Sequence, residues 1–172
     1  MRSVALLRAL AWALAWALSW ALCDSVQAQP RFDFDATRTV LPKTVLPSHY
    51  ALSLRVDPQR EEFDGRATIQ VRARERVPSI TVHARYLDVQ RVRLVTGTRQ
   101  RNLRVTPDEG TATLKLVPTD GRPIAAGAHR LVIDYRGRID RTGNGLYRAD
   151  HRADGRPASM LATQLQATNA RM

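Results

Sequence analysis

From His49 onward, apolar and polar residues alternate with a period of two. Tyr50, Leu52, Leu54 and Val56 fall on one side of the chain, Ser53 and Arg55 on the other. Asp57-Pro58 ends this strand. A second starts near Phe63, where Ala67, Ile69, Val71 and Ala73 alternate with Thr68, Gln70, Arg72 and Arg74. The pattern returns through Ile80, Val82 and Ala84, then Val92 and Leu94, then Ala112, Leu114 and Leu116, and again through Leu131, Ile133 and Tyr135. Turn signals separate the strands: Thr96-Gly97-Thr98, Asp108-Glu109-Gly110, Asp120-Gly121-Arg122-Pro123 and Gly143-Asn144-Gly145. A hairpin loop over 150–158, containing His151, joins Leu146-Tyr147-Arg148 to Met160-Leu161-Ala162. Past the first thirty residues no sustained 3.6-residue stripe occurs. The reading is all-β: an antiparallel β-sandwich over residues 40–165 with little helix. Its expected core includes Tyr50, Leu52, Leu54, Ile69, Val71, Val82, Leu114, Leu131 and Ile133. Residues 30–47, in which Pro42 and Pro47 bracket Lys43 to Leu46, should be extended.

The start of the chain has another character. Arg2 and Arg8 precede an apolar run from Ala9 to Cys23, and Val26-Gln27-Ala28 supplies the small residues that signal peptidase requires. The run is short for a membrane span, which needs ~20 residues. Residues 1–28 are therefore expected to be a signal peptide, with an uncleaved anchor as the alternative. Residues 29–40 form an extended lead-in, and 41–172 the folded domain. Export to a periplasmic or extracellular compartment follows, with no membrane span after cleavage. Cys23 is the sole cysteine and lies before the expected cut. Leu22 and Trp20 beside it do not suit lipidation. No disulfide can then form in the mature chain, so a packed core must stabilise it.

The net charge of +11 raises the question of an anionic partner. All basic residues except Lys43 and Lys115 are arginine, and they stand singly on alternate positions. Solvated strand faces explain that spacing better than a nucleic-acid interface, which would gather them in a block.

Candidate chemistry is sparse. His49, His83, His129 and His151 show no i, i+4 pairing suited to zinc. The first three sit in strands beside apolar residues and read as structural. There is no G-x-S-x-G and no glycine-rich phosphate loop. Glu61, Glu62, Glu75 and Glu109 fall at strand ends or turns, without a convergent acid pair.

An ordered set of short motifs adds to this. They are Leu41-Pro42, Pro47-Ser48-His49-Tyr50-Ala51-Leu52, Phe63-Asp64-Gly65, Val82-His83-Ala84, Ala126-Gly127 leading to Leu131–Gly137, Gly145-Leu146-Tyr147-Arg148, and the 163–171 terminus. Together they resemble the N-terminal domain of the aminopeptidase N family of zinc exopeptidases, over roughly residues 40–172. The resemblance implies a saddle-shaped β-domain placed before a thermolysin-like catalytic domain. That second domain carries G-x-M-E-N and H-E-x-x-H, and neither motif occurs here. It further implies that zinc belongs to the missing domain and that no cofactor is held by this chain. Peptide N-termini would be met through that domain, and the chain alone would be inactive. One role carries over. The fourth residue of the family's T-Q-x-[E/Q] segment contacts the substrate's α-amino group, and here that residue is Gln166 in Thr163-Gln164-Leu165-Gln166. Asn169 stands where the family usually has Asp. A stand-alone module that binds peptides, a protein partner or an anionic surface is the competing expectation.

Overall fold

The computed structural model describes residues 31–166. The expected signal peptide and Asn169 lie outside them. Two compact units divide at Arg38/Thr39. In the first, the lead-in holds a turn rather than a continuous extended run. The Asp33 carboxylate accepts hydrogen bonds from the N–H groups of Asp35 (2.8 Å) and Ala36 (3.2 Å), and the Thr37 hydroxyl donates to the Asp33 carbonyl. A short acidic side chain offers such local bonds in competition with extension.

The second unit is all-β. Its strands are β1 (Val45–Arg55), β2 (Glu62–Ala73), β3 (Ile80–His83), β4 (Leu87–Thr96), β5 (Arg99–Asp108), β6 (Thr113–Pro118), β7 (Gly127–Arg138), β8 (Gly145–Ala153) and β9 (Arg156–Gln164). Seven form one sheet in the order β1-β2-β7-β4-β5-β6-β3, and β8-β9 form a separate hairpin. The described pairings between strands are antiparallel.

Cross-strand rows build the core. Ile69 faces Leu131, which faces Leu94; one row along, Ala67, Ile133, Val92 and Leu103 stand side by side. At the far side Leu116 lies between Val105 and Ile80. Because β2, next to one end of the strand order, and β3, at the other end, share one buried cluster, the sheet curls into a half-barrel. An antiparallel bridge between Val77 and Ile124 links the connections that precede β3 and β7. Leu116, Ile124 and Leu131 are fully buried. Each such side chain contributes about 1.5–3 kcal/mol relative to exposure.

Three expectations need correction. Tyr50, Leu52 and Leu54 do not belong to the core; they are 57%, 62% and 44% exposed. They do sit opposite the buried Ile69, Ala67 and Gly65 of β2 and so share the core face. β1 is the outermost strand, however, and the curl covers that face only as far as β2. Second, Arg99–Asp108 is a further strand, one that the alternation does not mark. Four of its ten residues are charged, and only Leu103 is buried, so the alternation there is faint. Third, the loop over 150–158 is almost wholly strand. β8 and β9 run to a two-residue turn, Asp154-Gly155, with φ of 50° and 76°. Asp-Gly is a strong signal for this mirror-image turn, whose twist matches the strands. His151 is thus a strand residue, and exposed.

Candidate functional site

Two of the sequence motifs meet in the β8-β9 hairpin. Gly145 pairs with Gln164 and Leu146 with Thr163, so the two segments named by resemblance become cross-strand neighbours. Gln166 follows the last residue of β9 by two positions and is exposed. Its amide can donate and accept, and nothing on the described chain covers it. Leu165 beside it is 58% exposed.

The base of the hairpin is set by Asp140. Its carboxylate accepts from the Thr142 N–H and hydroxyl (2.5 and 2.7 Å) and from the Asn144 N–H (3.1 Å). Its backbone N–H donates to the Leu146 carbonyl, and its carbonyl accepts from the Arg148 N–H. The hydrogen bond from Thr142, with those from the Asn144 and Gly143 amides, holds the Asp140 carboxyl below its ordinary range against a counteracting desolvation. The Gly143-Asn144-Gly145 signal is a turn as expected, and the residue that organises it lies three positions earlier. An Asp two residues before Thr was the available clue. Along the hairpin, Arg148 donates to Asp150 (2.8 Å) and to the Ser159 hydroxyl (2.7 Å), which in turn donates to Asp150. Arg148 also reaches the Pro58 carbonyl in the β1-β2 connection.

A groove of about 1110 Å³ runs between the β3-β4 connection, the β5-β6 turn and residues 138–146. Two non-glycine residues on its wall, Tyr86 and Ala112, have left-handed φ values of 59° and 52°. The Ala84 N–H donates to the Ala112 carbonyl and ties these two turns together. Neither strained position is readable from periodicity.

The histidines stay apart. His129 is buried: Nε2–H donates to the Ala125 carbonyl (2.8 Å), and Nδ1 shares a hydrogen bond with the Thr96 hydroxyl (2.6 Å). That pair of bonds fixes the ring in the fold and gives His129 a structural role. His83 is half-buried on β3, while His49 and His151 are exposed on β1 and β8. Among the described residues no three His, Cys, Asp or Glu side chains converge to hold a metal ion. No described helix is long and apolar enough to cross a membrane.

The half-barrel sheet and the β8-β9 hairpin make up an all-β, antiparallel domain. The family model of the Peptidase M1 N-terminal domain matches residues 46–172, and the chain belongs to that family. Similar proteins include "Aminopeptidase N" of Acetobacter pasteurianus, 33% identical over 87% of this chain and 41% of the relative's length. "Endoplasmic reticulum aminopeptidase 1" of Homo sapiens is 27% identical over 87% of this chain and 17% of its own length. "Puromycin-sensitive aminopeptidase" of Caenorhabditis elegans is 30% identical, over 76% and 14% respectively. The chain thus spans less than half the length of each of these relatives.

Proposed function

We propose that this domain is the non-catalytic, substrate-side N-terminal part of an exported zinc aminopeptidase that removes N-terminal residues from peptides. The observation that carries the reading is the hairpin: it presents the Thr163–Gln166 segment at an exposed strand end. There the Gln166 amide oxygen accepts a hydrogen bond from the substrate's ammonium group, more weakly than a carboxylate would. Zinc, which activates water for hydrolysis, is supplied by the catalytic domain. The domain alone is inactive.

The test is to assay the purified chain on alanyl and leucyl amides, alone and with an M1 catalytic domain supplied in trans. Alone, no turnover is expected. In the complemented enzyme, Gln166→Ala should lower kcat/KM by about tenfold or more, the effect of losing a hydrogen bond to a charged group, and Gln166→Glu should restore it. Turnover by the isolated chain, or an unchanged Gln166→Ala enzyme, would count against the proposal.

One observation favours a second reading, a module for anionic surfaces. On the outer face of the sheet Arg72, Arg91, Arg104 and Arg130 are exposed and carry no ion pair among the described residues. Heparin retention that falls steeply with salt supports that reading, and none would remove it.

A further inference from the structure

The β1 strand combines three features that natural sheets usually keep apart. It is an edge strand, eleven residues long, with one side of its backbone unpaired by the rest of the sheet. It presents Tyr50, Leu52 and Leu54 in a row on the core face, all substantially exposed. It also lacks edge protection over its centre. In a chain where 25% of residues are charged, Tyr50–Leu54 carry no charge. The bulge at Pro47/His49 and the side chain of Arg55 guard only its two ends.

An uncharged edge with alternate apolar residues selects its partner. It gives an acidic or basic segment nothing to pair with, and it rewards a second neutral edge whose apolar residues land on the same face. β1 itself meets that condition. We propose that two copies of this chain associate through β1, antiparallel, about a two-fold axis at Leu52. This register sets Leu52 against Leu52 of the second copy and Tyr50 against its Leu54, twice over. Six apolar side chains then form one continuous strip on the core face, and the backbone groups of the two edges pair over His49–Arg55. Arg55 meets His49 of the second copy and not its Arg55. Within its own copy Arg55 also has Asp64 opposite on β2, which limits repulsion between two basic molecules. A strand edge and three side chains fall short of the roughly 800 Å² per partner of a standard interface. The association is therefore a concentration-dependent equilibrium.

The experiment is sedimentation velocity on the full chain carrying Cys23→Ser, over about a hundredfold range of concentration. The mean mass should rise towards that of a dimer. Adding Leu52→Glu should abolish the rise while leaving the β-type circular dichroism intact, because Leu52 is 62% exposed. In the same Cys23→Ser background, Leu52→Cys should oxidise to a covalent dimer faster than Ser53→Cys, since position 52 faces itself and 53 faces 51. A monomer at every concentration, association insensitive to Leu52→Glu, or equal cross-linking at 52 and 53 overturns the proposal. So does a β1 edge that captures some other polypeptide while the chain itself stays monomeric.

Discussion

Gly65 and Gly137 are held by aromatic rings. On β2 and β7, Phe63 lies opposite Gly137 and Gly65 opposite Tyr135, and the two rings meet edge to face at 6.3 Å. A methyl group at Gly65 would overlap the Tyr135 ring, and one at Gly137 the Phe63 ring. Glycine in a strand normally weakens it, so its presence marks a close approach. Gly65→Ala should destabilise the domain by about 1–3 kcal/mol, read as a lowered urea midpoint with unchanged slope. Burial separates two other substitutions. Ile133→Asp places a carboxylate in the 8% exposed core and should unfold the domain, at a cost of several kcal/mol or more. Leu52→Asp, on a strand of the same alternation, should leave the fold intact, as circular dichroism and thermal melting can check. The sequence makes these positions look equivalent, because alternation reports which face a residue is on and not whether anything covers that face.

The hairpin is the element on which the proposed role depends, and its two ends are built differently. At the tip, Asp154-Gly155 supplies two left-handed residues. Gly155→Ala should cost about 1 kcal/mol of local stability, the strain of a Cβ in that region, seen as faster amide exchange across β8 and β9 with little change in global melting. At the base, Asp140 gathers the 142–146 turn, and Asp140→Ala should speed exchange there first. The hairpin's existence was legible in the sequence, from the alternation around Leu146 and Met160. Its length was not, since Asp150, His151 and Arg152 are polar residues on an exposed ribbon and carry no periodic signal. β5 was hidden for the same reason: arginines at positions 99, 101 and 104 mask a strand with one buried side chain.

Over the whole molecule, carboxylates are tied into the fold by arginines and hydroxyls. Arg66 and Arg93 both donate to Asp134, and Arg101 donates to Asp120. The Asp134 carboxyl is held below its ordinary value first by the hydrogen bond from Arg66, then by the charges of Arg66 and Arg93 against desolvation. Asp120 is lowered by Arg101, and Asp150 by the Ser159 hydroxyl and then Arg148. A carboxyl whose folded pKa is depressed contributes stability above its unfolded value of 3.8 and loses it as pH falls below. Melting temperature should therefore hold above about pH 5 as far as these groups are concerned, and drop as pH falls below ~4. Asp134→Asn should flatten that acid drop, measured as melting temperature against pH. Added salt should shrink the difference, because these pairs are at most half-buried and still reached by solvent.

Local pattern by itself determined that this chain is all-β, where most strands run, which residues turn them and that arginines would line wet faces. Each of those follows from nearest-neighbour chemistry: side chains alternate across a strand, and Gly, Pro, Asn and Asp permit turns. The ordered motifs pointed to the family and to Gln166. Tertiary structure alone decided that the strands form one curled sheet with a separate hairpin, that the curl stops covering the core face at β2, and that Asp140 and the left-handed Tyr86 and Ala112 frame a groove. Coverage and convergence depend on residues far apart in sequence meeting through a particular register and curl, and no local periodicity carries that information.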